Sequence, residues 1–201
     1  MIKRLTENYN DTIKIMEKSN SLLSLTREEL IGWEAPNWNW TKLNVDGSVN
    51  QPGSKGTCGG LIRDWMGRTI AGFSMNIGVC TITMAEIWGM YVGVKLASEL
   101  GIRKLVVESD SKCAITLTQK MSPEIHGNSS LIRSIKELLV KMEDVEVRHI
   151  YREANFCADA LAKLGQEHEL GIKFWEQPPP CLFHHLLADA SGMKFSRIVV
   201  Q

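Results

Sequence analysis

The chain has 201 residues, enough for one domain with a sizeable core plus flanking arms. Its hydrophobic fraction of 44% and charged fraction of 23% are those of a globular protein, and its formal net charge of +0 argues against a whole-surface footprint for nucleic acid while leaving room for a local patch. No apolar run reaches the length of a membrane span, and residues 1–20 lack the apolar centre of a secretion signal, so an intracellular protein, nuclear or cytoplasmic, is expected.

Residues 1–35 read as a polar helical arm, with Ile13, Ile15, Met16, Leu22, Leu23, Leu25 and Leu30 spaced without a strict heptad. Trp33, Trp38 and Trp40 cluster around Pro36, which predicts an extended lead-in pinned by aromatic burial; a base-stacking platform is the alternative. Trp40–Ser48 reads as a strand, with Leu43 and Val45 on one face and Lys42, Asn44 and Asp46 on the other. Turn chemistry follows at Gly47 and over 50–56. Thr57–Asp64 and Arg68–Ile77 are two more strands, joined by a hairpin at Trp65-Met66-Gly67 where a positive φ is expected at the glycine. Gly59 and Gly60 point to a bulge or to close approach by another backbone.

The pattern then changes. Thr83–Leu100 is helical, closed by Gly101. Lys104–Asp110 is a short buried strand, Ser111–Lys120 a short helix, and Met121–Ser130 a loop. Leu131–Met142 is an amphipathic helix, Val145–Tyr151 a strand, and Ala154–Leu164 a helix closed by Gly165. The tail carries Pro178-Pro179-Pro180, stiff and extended, and then a possible short helix with Leu182, Phe183, Leu186 and Leu187. The expected class is α/β (α+β by some schemes), a five-stranded mixed sheet with its first three strands antiparallel and helices on both faces. The expected divisions are an arm over 1–38, a domain over 39–166 and a Pro-rich extension over 167–201, in a monomer. Cys58, Cys80, Cys113, Cys157 and Cys181 are scattered, which predicts reduced, mostly buried thiols and neither a zinc site nor a disulfide framework.

Four acids sit where elements begin or end, and each has a plain structural reading. Glu86 fits a capping box with Thr83, Asp110 an N-cap, Asp159 a first-turn acid after an Asn155 N-cap, and Asp46 a turn former. Together they suggest more. Asp46 and Asp110 end strands that this connectivity makes neighbours, while Glu86 and Asp159 begin helices packed on the sheet. Carboxylates held together repel unless a cation neutralises them, and an all-oxygen set suits magnesium or manganese. Two such ions about 4 Å apart promote in-line attack of water on a phosphodiester.

These residues also carry a resemblance. Asn44-Val45-Asp46-Gly47-Ser48, the Cys58–Asp64 strand, Ala85-Glu86, Val107-Glu108-Ser109-Asp110-Ser111 and the run Arg152–Ala162 follow the order of ribonuclease H type 1. More narrowly, the chain resembles the plant reverse-transcriptase-like, retrotransposon-derived domains of that family. The resemblance covers roughly 40–165. It implies a ribonuclease H-like fold and a metal-dependent endonuclease that cuts the RNA strand of an RNA–DNA hybrid with two Mg²⁺ or Mn²⁺ ions. It places Asp46, Glu86, Asp110 and Asp159 as catalytic metal ligands, with Asp46 bridging. Gly47, Ser48 and Asn155 match positions near the RNA strand, whose 2′-hydroxyls distinguish it from DNA.

Departures favour a second hypothesis, a weak or inactive nucleic-acid-binding module. Relatives often carry Asn before the helix glutamate, where only Thr83 stands here. His149 matches the count of a family histidine but reads as an ordinary strand residue. The basic helical protrusion is missing, leaving Lys112, Lys120, Arg133, Lys136 and Lys141 as local positive charge.

Overall fold

The structure is a computed structural model that describes residues 26–50, 55–120 and 129–200. Residues 1–25 of the expected arm and parts of the expected loops, 51–54 and 121–128, lie outside the described residues. The chain divides into two compact units. In the smaller, β1 (Thr26–Ile31) pairs antiparallel with β8 (Phe195–Val200), Thr26 opposite Val200 and Ile31 opposite Phe195. The helical arm is therefore corrected at its described end. Its ladder partner comes from the far end of the chain, and a local helical pattern carries no trace of that.

The larger unit, Gly32–Met193, is built on strands β2 (Thr41–Val49), β3 (Lys55–Arg63), β4 (Thr69–Val79), β5 (Lys104–Ser109), β6 (Asp144–His149) and β7 (Gly171–Trp175). Its helices are α1 (Ile82–Glu99), α2 (Lys112–Lys120), α3 (Ser129–Val140), α4 (Phe156–Leu164) and α5 (Phe183–Ala190). The sheet runs β6-β5-β2-β3-β4-β7. β2, β3 and β4 form the expected antiparallel meander, and β5 and β6 add in parallel to β2. The sixth strand, β7, departs from the expected five. It pairs antiparallel with β4, Gly72 opposite Trp175 and Asn76 opposite Gly171. Ile172, Phe174 and Trp175 have strand propensity, but five residues next to a proline run are too short to show a period.

Helices cover both faces. On one, α1 buries Ile87, Met90, Val94 and Ala97 in the core that holds Leu43, Val45, Cys58, Ile62, Phe73, Leu105 and Val107. Ile132 and Ile135 of α3 belong to the same core, so α1 is apolar around most of its girth, as a helix between two layers must be. On the opposite face Cys157 and Leu161 of α4 meet Leu61 and Leu182. Gly59 is the contact point. A β-carbon there would fall 2.3 Å from the Ala162 nitrogen, so close backbone approach, and not a bulge, explains this glycine. The register shifts of β3 lie instead at Gly56/Thr57 and Ile62/Arg63. The hairpin turns on Gly67 at φ +78. All five cysteines are free, but only Cys58 and Cys157 are buried, fewer than expected. Trp33 alone of the lead-in tryptophans is buried, and Trp38 is 75% exposed.

Candidate active site

Strand register brings the first two acids together. Val45 lies opposite Ser109, the last pair of the parallel β2–β5 ladder, so Asp46 and Asp110 leave that ladder side by side. Glu86 arrives from α1, and Gly47 makes that possible. A β-carbon on Gly47 would sit 2.5 Å from the Glu86 nitrogen. With hydrogen there instead, α1 lies against β2, and the Gly47 N–H donates to the Glu86 carboxylate.

The capping readings fall away. α1 is capped by Thr81, whose Oγ1 accepts from the Met84 N–H at 3.2 Å, not by Thr83. Glu86 therefore lies beyond the first turn, free of any capping box. Ser111 takes the cap expected of Asp110, its Oγ accepting from the Ala114 N–H at 3.3 Å.

Asp46, Glu86 and Asp110 each offer an oxygen within 4.8 Å of the others. Asp46 is 5% exposed and Glu86 7%. Burial, then the charges of Glu86, Asp110 and Asp159, push the Asp46 carboxyl up to about 9. Burial and Asp110 push Glu86 up to about 8, against the pull of the Gly47 N–H. Like charges are being held where water cannot screen them. Glu86 Oε2 is buried with no hydrogen-bond partner. An all-oxygen cluster with an orphaned lone pair fits a hard divalent cation.

Asp159 lies near this trio but outside it. Its Oδ1 accepts from Arg152 at 2.7 Å and its Oδ2 from Lys163 at 2.6 Å. Burial is not what sets Arg152: the Asp159 charge leads in raising its pKa, with Asp46 and Asp110 adding. These two cations were not foreseen as site residues. Lys163 is legible as an i,i+4 partner of Asp159, whereas Arg152 reaches it only through the turn that precedes α4. Asn155 sits at the N-cap position of α4, but its side chain makes no cap. Its Nδ2 donates to the Val45 carbonyl at 2.9 Å, tying α4 to β2, and its buried Oδ1 has no partner. Ser48 and Thr83 are half-buried. The His149 Nε2–H donates to the Asp110 carbonyl at 3.2 Å and its ring meets Tyr151 edge-on.

A second polar cluster occupies the same strand two residues earlier. Lys42 Nζ lies 2.8 Å from Glu108 Oε1, and Asn44 Nδ2 donates to Glu108 Oε2 at 3.0 Å. Arg148 donates to Glu108 at 2.9 Å. Asn44 Oδ1 accepts from Trp33 at 2.9 Å and from Arg63 at 3.2 Å. Arg63 stacks 3.6 Å from the Trp33 ring centre and pairs with Asp189 of α5 at 2.6 Å.

Residues 44–165 match the family described as reverse transcriptase-like. An Arabidopsis thaliana protein provisionally named a ribonuclease H protein is 34% identical over 176 residues, 86% of this chain. The chain spans only 28% of that relative's length. Ribonuclease H1 of the archaeon Halobacterium salinarum superposes with a TM-score of 0.58 at 22% identity, over 63% of this chain and 97% of that one. LC11-RNase H1, solved in complex with an RNA/DNA hybrid, gives 0.57 at 20%, over 63% and 96%. Among the described residues no helix is long and apolar enough to cross a membrane. The fold is ribonuclease H-like, and the chain belongs to the reverse transcriptase-like family.

Proposed function

We propose that this chain hydrolyses the RNA strand of RNA–DNA hybrids, with Asp46, Glu86, Asp110 and Asp159 as the catalytic ligands of two Mg²⁺ or Mn²⁺ ions. One observation carries the reading: two buried carboxylates and the half-buried Asp110 converge within 4.8 Å, one of the three, Glu86, with an unsatisfied oxygen. When bound, the ions supply an activated water and neutralise charge at the scissile phosphate. The protein does the rest. Asp46, just past the last pair of the β2–β5 ladder, would hold the ions together with Glu86 and Asp110. Gly47 keeps Glu86 oriented through its N–H. Asn155 fixes the start of α4, and with it Asp159, against β2. The Gly47 backbone, Ser48 and Thr83 line the rim where 2′-hydroxyls distinguish RNA from DNA.

Asp159 favours a second reading. Its two ion pairs occupy the oxygens that a second ion needs. If they hold, the domain binds hybrid and turns over weakly.

Labelled RNA–DNA hybrid with Mg²⁺ separates the cases. Wild type cleaves the RNA strand. Asp46→Asn loses more than the roughly 10–100-fold that loss of a supporting group outside the ligand set costs. Equal behaviour of the two proteins sinks the enzyme reading, and tight binding without cleavage at any divalent concentration establishes the second.

A further inference from the structure

Helix α5, from the C-terminal extension, lies beside α4 at the edge of the carboxylate site. Phe156 and Asp159 are three residues apart on α4, so they share one face, and Lys163 continues the stripe one turn on. The Phe156 ring stacks on His185 of α5, with centroids 5.6 Å apart and planes at 29°. The His184 ring sits 3.8 Å from the His185 ring, tilted 44° to it. The result is a column of three rings in contact, bent at the histidine pair, that starts one turn from Asp159 and ends at His184, which is exposed. Arg152 and Lys163, 57% and 58% exposed at their side chains, flank its base.

We propose that the Phe156–His185–His184 column is a stacking platform for an unpaired base, on a single-stranded segment that adjoins the hybrid in the carboxylate site. The assignment rests on the proposed nuclease site but adds a substrate class to it: hybrids that end in, or run into, single strand. Three features favour a nucleobase. A base has a π-face and extends a ring column whatever its identity, so the contact is sequence-tolerant. Histidine and phenylalanine both serve as stacking surfaces for unpaired bases. Arg152 and Lys163 set positive charge where the strand's phosphates pass. Burial first, and then the neighbouring His184, hold the His185 ring below the ordinary histidine range, so the middle of the column stacks as a neutral ring at pH 7.

The test is binding by fluorescence anisotropy, in an Asp46→Asn background so that the RNA strand survives. The probes are one short hybrid made blunt and the same hybrid with a short unpaired extension on either strand. The extended hybrid is expected to bind about fivefold more tightly than the blunt one, the low end of the effect of one stacked base. His184→Ala and His185→Ala remove that difference and leave blunt binding unchanged, while His185→Phe, which keeps a ring, restores it. No gain from the extension, a gain that survives both alanine variants, or a loss of blunt binding together with the gain overturns the platform. Absence of any hybrid binding by the parent protein overturns the nuclease reading and the platform with it. Blunt binding with no effect of the extension overturns the platform alone.

Discussion

Strand β2 carries two buried polar clusters in opposite states. At Lys42 and Asn44 every charge has its opposite. Glu108 is met by Lys42, Arg148 and Asn44, and Arg63 by Asp189. At Asp46 three carboxylates share one space, with a backbone N–H on Glu86 and no cation paired directly to any of the three; Arg152, paired to Asp159, is the charge that reaches them. Both clusters are built on buried side chains, Lys42, Asn44, Arg63 and Glu108 in one and Asp46 and Glu86 in the other. Burial alone therefore does not mark a site. The mark is burial with a charge imbalance that the protein leaves uncorrected, and that imbalance is what an external cation corrects.

The sharpest way to break the comparison is to unbalance the balanced cluster. Glu108→Gln strands the buried Lys42 with no full counter-charge and removes the partner of Arg148, while Arg63 keeps Asp189. Denaturant unfolding should show a loss of about 3–5 kcal/mol, the usual consequence of removing one partner of a buried pair. A loss under about 1 kcal/mol means the network is better hydrated than its 2–3% side-chain exposure indicates.

The converse change balances the unbalanced cluster. Asp46→Asn removes a charge that costs stability, so without divalent ions at pH 8 its thermal midpoint should lie above that of wild type, although its activity is lost. The pH dependence has a fixed sign. The folded values of Asp46 and Glu86, about 9 and about 8, exceed their ordinary values of 3.8 and 4.5. The native state therefore holds protons that the unfolded chain has lost. Metal-free stability is full near pH 4 and declines as pH rises towards 8–9. Melting curves in chelator across pH 5–9 check this. Mg²⁺ should flatten the decline, and so should Asp46→Asn.

The smallest effect belongs to the cations beside the site. Lys163→Gln removes an exposed i,i+4 pair, for a loss of about 0.5 kcal/mol or less that vanishes in high salt. Its kinetic effect is the informative one. Freeing Asp159 Oδ2 should lower the Mg²⁺ concentration at half-maximal cleavage, and an unchanged metal dependence removes Lys163 as a competitor for that carboxylate.

Much of this was legible in sequence because it is local or follows connectivity. The period of two put Asp46 on a strand face, and a meander followed by a crossover made Asp110 its neighbour. In sequence Gly47 signals turn chemistry and a neighbour of RNA, but its first structural task is to admit α1. That contact spans two elements, and no local pattern encodes it. Thr81 was passed over because Thr83 and Glu86 fit a capping box better on spacing alone. Arg63, Glu108 and Asp189 were invisible as a network, since their partners lie between 19 and 126 residues away. In the extension the prolines dominate the local pattern, and neither the strand Gly171–Trp175 nor the ring column between α4 and α5 leaves a periodic trace, because the partners of each lie elsewhere in the chain.

The position of β7 bears on how the chain is made. β4 is the longest strand of the sheet, 11 residues, and its outer edge pairs with β7. A nascent chain that has emerged as far as Leu164 contains all four acids, the whole meander and the crossover helices, yet its β4 still presents open backbone donors and acceptors. Synthesis proceeds from the N-terminus, so each ribosome carries that bare edge until Trp175 clears the exit. Polysomes crowd such edges together, where strand-to-strand association is a hazard. The short segment beyond α4 thus covers Gly72–Asn76 of that edge and shortens the open stretch through which growing copies can pair with one another.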